Sequence, residues 1–149
     1  MKFVFLDTDL FVRSLRYERD AQQENNRLFL ERVRSKKIRA ATSLFNVLET
    51  CGVLSFNYST EDLLKLYANF AQLFSVKILA TLNDQGEPRY LPEKIFSQIL
   101  KKQSLGDAQM SYVVKEFSDK IECLVTWNAK HFRNKVVCPV FTPQEFLHP

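Results

Sequence analysis

The chain has 149 residues, 46% hydrophobic and 26% charged, with a formal net charge of +4. That length fits one domain with a real core, and the composition is ordinary for a globular protein. Three glycines and no G-x-x-x-x-G-K-[ST] or G-x-G-x-x-G run exclude a glycine-rich phosphate loop, and the three cysteines form no C-x-x-C pair.

In chain order, KFVFLD reads as a strand buried on both faces. The run is too short, and too soon broken by Asp7, for a signal peptide or membrane span. Leu10 to Arg19 and Gln23 to Lys36 read as helices, the second with Leu28, Phe29 and Val33 on one face. KIRAAT is a second strand. Ser43 caps a helix through Leu54, with Leu44, Val47, Leu48 and Cys51 spaced for the core. Thr60 opens another helix whose Leu64, Leu66, Tyr67, Phe70 and Leu73 suit an apolar face. SVKIL is a short strand, and ATLNDQGEPRY a loop. Helices follow from Pro92 to Lys101 and from Asp107 to Phe117. IECLVTW is a strand, and VVCPVFTP an edge strand because of Pro139. Strands separated by helices predict one three-layer α/β domain over 1–149 with a mainly parallel sheet.

The acids fall in telling places. Asp7 ends the first strand and Asp9 follows it. Glu49 sits two turns into the helix after the second strand, Asp107 starts a later helix, and Asn128 ends the strand LVTWN. Ligands of open α/β sheets bind at the carboxyl ends of strands, so these positions can converge on one cleft. Carboxylates gathered there repel, by about 4 kcal/mol per close pair at an effective dielectric near 20. A hard divalent cation, Mg²⁺ or Mn²⁺, relieves such a cluster and supports phosphodiester hydrolysis.

The order FLDTDLF, TSLFNVLET, LGDAQMSYVVKE, LVTWNAKHF resembles the PIN-domain nucleases, and most of all the ribonuclease toxins of type II toxin–antitoxin pairs. The likeness runs over nearly the whole chain, to VVCPVFTPQEFL as a last strand and closing helix. It implies a three-layer α/β/α fold, cytoplasmic Mg²⁺- or Mn²⁺-dependent RNA cleavage, an inhibiting antitoxin and a homodimer. It also implies Asp7, Glu49, Asp107 and Asn128 as the metal-holding, catalytic set. Asn128 departs from the common Asp and brings no charge. Asp9 stands where Asn is frequent, and either restores that charge or caps the helix at Leu10.

D-x-D after an apolar strand also opens the haloacid-dehalogenase-type phosphatases, where the first Asp is a covalent nucleophile. Phe11 stands where that motif wants Thr or Val, Ser111 where it wants a second acid, and LVTWN follows the late G-D instead of preceding it. Asp7 therefore reads as a metal ligand. Thr126 is a candidate to orient Asp7 or Asn128 through its hydroxyl. Lys130, His131 and Arg133 follow Asn128 and are candidates to hold RNA phosphates, with Trp127 either stacking a base or packing in the core. The basic run RVRSKKIR reads as a solvated helix end. Two functions stay open: a metal-dependent endoribonuclease, or a weakly active or inactive RNA-binding module of the same fold.

Overall fold

The structure is a computed structural model describing residues 1–16 and 19–149. The opening apolar run forms β1 (Phe3–Leu6), the central strand of a five-stranded sheet. Val4 and Leu6 point into one layer of core, and Phe5 points into the other. Successive strand side chains alternate between faces, so an uninterrupted apolar run suits a strand covered on both sides.

The chain continues through α1 (Thr8–Arg16), α2 (Ala21–Arg34), β2 (Ala40–Ser43), α3 (Leu44–Leu54), α4 (Thr60–Phe74) and β3 (Val76–Leu79). It then crosses to the other side of β1 through α5 (Pro92–Ile99), α6 (Leu105–Glu116) and β4 (Ile121–Val125). The chain ends with α7 (Ala129–Phe132), β5 (Val140–Phe141) and α8 (Pro143–Leu147). The order is β3-β2-β1-β4-β5, and every pairing is parallel. α1 to α4 and α8 pack on the Val4–Leu6 face; α5, α6 and α7 pack on the Phe5 face. The expected α/β/α layering and β5 as an edge strand are both present.

Several local expectations shift. α1 starts at Thr8, ahead of Leu10, and the Asp7 carboxylate accepts the Thr8 N–H at 2.7 Å. The expected end of that helix reaches residues 17 and 18, which lie outside the described residues. In α2 the buried stripe is Asn26, Phe29, Leu30 and Val33, and Leu28 is exposed. Leu48 of α3 and Leu64, Tyr67 and Leu73 of α4 also face outward. The α4 sequence is apolar on more than one side, so periodicity cannot choose the face. Packing chooses it: Leu66, Phe70 and Phe74 are buried one turn apart, and Phe11 meets the last two rings edge-on at 5.0 and 4.8 Å. α6 begins at Leu105 with Ser104 as its cap, two residues before Asp107.

From β1 the chain builds outward to β2 and β3, then returns to build β4 and β5 on the other side. The strand order therefore reverses between β1 and β4. In doubly wound sheets the crevice at the carboxyl ends of such a strand pair is the favoured ligand site.

Candidate functional site

Asp7 leaves β1 at that crevice. Its Oδ1 accepts from the Thr8 N–H, and its Oδ2 lies 2.8 Å from the Thr126 hydroxyl just beyond β4. The same hydroxyl lies 3.0 Å from Oδ2 of Asp9, which also accepts the Trp127 N–H at 2.9 Å. Asp9 thus sits inside the first turn of α1 and braces that helix to the end of β4. It does not cap a helix at Leu10.

Burial, with the neighbouring Asp9 charge, holds the Asp7 carboxyl well above the usual range against the pull of its two hydrogen bonds. Burial pushes Asp9 up to about 6, opposed by Thr126, by the Trp127 and Asn128 N–H groups and by Arg13. The Thr126 hydroxyl also accepts the Asn128 N–H at 3.0 Å. A hydroxyl has one proton to give, so it donates to only one of the two acids, and the other contact wants a proton on the acid. Without a cation, the pair is built to hold a proton. Among the described residues, Oδ1 of Asp9 is buried with no partner.

Glu49 approaches from α3. Its Oε2 accepts from the Thr8 hydroxyl at 2.5 Å. Asn46, one turn earlier, donates to the Thr8 hydroxyl at 3.0 Å and reaches Oδ1 of Asp7 at 3.4 Å. Ser43 caps α3 and donates its hydroxyl to the Asn46 carbonyl oxygen, which sets that amide's orientation. Sequence reasoning found Ser43 as a cap and Glu49 as an acid, but missed Thr8 and Asn46, which join them. The S-x-x-N capping spacing was the available signal. Leu48, expected beside Glu49 in the core, is 48% exposed, and Glu49 lies on the same outward side of α3.

Asp107 occupies the first turn of α6, and its N–H is held by Ser104 at 3.3 Å. The α6 residue that meets Glu49 is Gly106: a Cβ there would stand 3.1 Å from Oε1 of Glu49. That near contact brings the start of α6 against the acid of α3. Among the described residues, no three His, Cys, Asp or Glu side chains come together closely enough to form a ready metal cage.

Asn128 is exposed and its side chain makes no capping bond to α7. With Lys130, His131 and Arg133 it lines an open cavity of about 350 Å³. Arg133 is committed to Glu145 through two contacts of 2.8 and 2.6 Å. Trp127 packs on the core and donates its indole N–H to Asn26, so its role is structural. On the other side, Phe45, Asn46, Glu49, Tyr90, Gly106 and Gln109 border a cavity of about 380 Å³. The donor chemistry suits a hard cation: the ligating atoms on offer are oxygens, two acids resist ionisation through burial, Asp7 also through the Asp9 charge, and among the described residues one buried oxygen is unpaired.

No protein-family model matches the chain, and no curated protein matches it in sequence. Solved structures do match in fold. A chain of FitAB bound to an IR36 DNA fragment aligns with a TM-score of 0.59 and 17% identity, covering 95% of each chain. A chain of VapBC-1 from nontypeable Haemophilus influenzae gives 0.63 and 16%, covering 95% of this chain and 98% of that one. A chain of FitAcB from Neisseria gonorrhoeae gives 0.59 and 16%, covering 95% and 99%. With its all-parallel 3-2-1-4-5 sheet, the fold is PIN-like.

Proposed function

We propose that this chain is a divalent-cation-dependent endoribonuclease that acts as the toxin of a toxin–antitoxin pair. The observation that carries the reading is the pairing of Asp7 and Asp9 on one hydroxyl at the β1–β4 crevice, with Glu49 tied in through Thr8. Two acids held where neither ionises comfortably are a standing demand for positive charge. Asp7, Glu49, Asp107 and Asn128 would hold Mg²⁺ or Mn²⁺, and a cation there supplies an acidified water and a clamp for phosphate oxygens. Thr126 orients Asp7 and Asp9. Asn46 and Thr8 hold Glu49 and Asp7 at a fixed separation. Lys130 and His131 offer charge and hydrogen bonds to the flanking phosphates, and Arg133 joins them only on releasing Glu145.

The partner protein is supported by the matching structures, which carry the complex names FitAB, VapBC-1 and FitAcB. A small protein encoded beside this chain is expected to co-purify with it and silence cleavage.

The test is cleavage of a labelled RNA pool in Mg²⁺, Mn²⁺ or EDTA by the wild type, Asp7→Asn and Asp107→Asn. Metal-dependent cleavage lost in both variants is expected. Undiminished cleavage in both overturns the acidic site. A second reading, an RNA-binding module without chemistry, draws on the uncharged, exposed Asn128 and the lack of three gathered acids among the described residues. It predicts RNA binding indifferent to Mg²⁺ and Mn²⁺, and no cleavage by any of the proteins.

A further inference from the structure

The opposite edge of the sheet carries a second feature. α2 ends with Ser35 as its cap, and Lys36 takes a left-handed conformation at φ 60°. The N–H groups of Lys37 and Ile38 then return to the Arg32 carbonyl, at 2.9 and 3.1 Å. This tight stop turns the chain into β2 and brings the basic run to the amino-terminal edge of the sheet. Lys2, just before β1, joins Arg32, Lys36, Lys37 and Arg39 around an open cavity of about 720 Å³, where Glu122 is the one acidic lining residue among the described residues. Lys36 and Arg39 also line an adjoining cavity of about 370 Å³ with Lys77 and Phe3. Phe3 has the Arg39 guanidinium 4.8 Å from its ring centre and the Lys77 ammonium at 5.7 Å.

Among the described residues, none of these six cations is in an ion pair, whereas Arg13, Arg27, Lys65, Lys94 and Arg133 all are. A helix carboxyl end presents about half a negative charge. That accounts for one or two neighbouring cations, not for six drawn from α2, β1, β2 and β3.

We propose that this edge is a second RNA-binding surface, which holds the phosphates of a single strand away from the acid site. Unpaired cations on hydrocarbon stems around open cavities suit a flexible polyanion, because each releases condensed counterions on binding. Arg39, fixed over Phe3, adds a guanidinium of the kind on which unstacked bases lie. β1 separates this edge from Asp7 by four residue steps, roughly 13 Å at about 3.3 Å per residue. One strand can therefore reach both ends only by passing around the molecule, so the surface adds affinity and not chemistry. The choice of RNA rests on the ribonuclease reading, but the binding does not need cleavage.

The test is anisotropy titration of a labelled single-stranded RNA of about twenty nucleotides, in EDTA, with KCl from about 50 to 300 mM. The variant Lys2→Gln/Lys36→Gln/Lys37→Gln is compared with the charge-matched Lys101→Gln/Lys102→Gln/Lys115→Gln. The first is expected to lower the slope of log affinity against log salt by about 2, at about 0.7 per cation, and to weaken binding about a hundredfold near 0.1 M. The second should change neither by a comparable amount. Equal losses in both variants, an unchanged slope in the first, or no binding by the wild type overturns the surface. EDTA removes cleavage from the readout, so failure here is distinguishable from failure of the nuclease reading.

Discussion

The two edges of the sheet carry opposite charge, and the contrast follows from how each strand is flanked. Lys2 precedes FVFL and Asp7 follows it. Lys37 and Arg39 precede AATS, Lys77 lies near the start of β3, and Lys120 precedes IECLV, which runs into Thr126. Any one strand written this way is a basic group, an apolar segment and a polar end. Four parallel strands in register add these up, so one edge gathers cations and the other gathers acids and hydroxyls. An antiparallel sheet of the same strands would have mixed them. The acid edge is also the buried, hydrogen-bonded one. The basic edge is open, and its cations are exposed.

The largest effect expected from breaking this contrast is at Asp7. On the proposed nuclease reading, in which Asp7 holds the cation, Asp7→Asn should lower metal-dependent cleavage by about a hundredfold or more, since losing a ligand costs at least what losing a supporting group does. It should not lower stability in EDTA, because burial and Asp9 already disfavour the Asp7 charge. Thermal unfolding in EDTA beside a cleavage assay checks both halves. A variant that lost activity by unfolding would contradict the account.

Next comes Thr126, the hydroxyl shared by Asp7 and Asp9. Thr126→Val keeps the shape but removes the shared contact and the acceptor for the Asn128 N–H. Cleavage or metal affinity should fall about 10- to 100-fold. Thr126→Ser should recover most of it, since it restores the hydroxyl; failure of that rescue would point to packing instead.

How much of this was legible in the sequence differs between the two edges. Asp7 was visible because an apolar run cannot end in a charge without a reason, and the parallel sheet because strands alternate with helices. Thr126 was visible as a hydroxyl beside the strand end. Thr8 and Asn46 were not, because their contacts join residues 41 and 38 positions apart, and such closures depend on how α1 meets α3. Of the two readings open for Asp9, the cap fails for the same reason: in sequence Asp9 precedes Leu10 like a cap, while in space it faces Thr126 and the Trp127 N–H. The apolar faces of α2 and α4 were only half legible, since both helices carry more large apolar residues than one face can bury. The run RVRSKKIR looked like a helix end, and it is one. Its meeting with Lys2, Lys77 and Phe3 appears only when β1, β2 and β3 align.

The raised acids also make a pH signature. Asp9 has a folded-state value of about 6 against an ordinary 3.8, and Asp7 is raised in the same direction, with burial the first cause in each. The folded state therefore binds more protons than the unfolded chain between about pH 4 and 6, and stability falls as pH rises through that window. The loss in EDTA from Asp9 alone should be on the order of 3 kcal/mol, at about 1.4 kcal/mol for each unit between 3.8 and about 6. Arg13, close to Asp9, already offsets part of it. Asp9→Asn should make the profile shallower, leaving the part due to the buried Asp7, and Mg²⁺ should restore stability at pH 7 more than at pH 5. A rise in stability from pH 4 to 7 without metal would reverse the sign and break the description of the acid edge.

The smallest expected effect separates the cations of the two edges. Arg133 stands near the acid edge, but its guanidinium is paired with Glu145, and both side chains are partly exposed, at 43% and 45%. An exposed pair of this kind contributes about 0–1 kcal/mol, so Arg133→Gln should barely move the unfolding midpoint. It should also change the salt dependence of RNA binding less than Lys36→Gln, because Arg133 must release one anion to take another while Lys36 has none to release. Glu145→Gln turns this around: freeing Arg133 should strengthen RNA binding and steepen its salt dependence, by somewhat under one unit of slope for one added phosphate contact. If Glu145→Gln leaves that slope unchanged, Arg133 does not reach RNA even when free, and the proposed RNA contacts near the acid site reduce to Lys130 and His131.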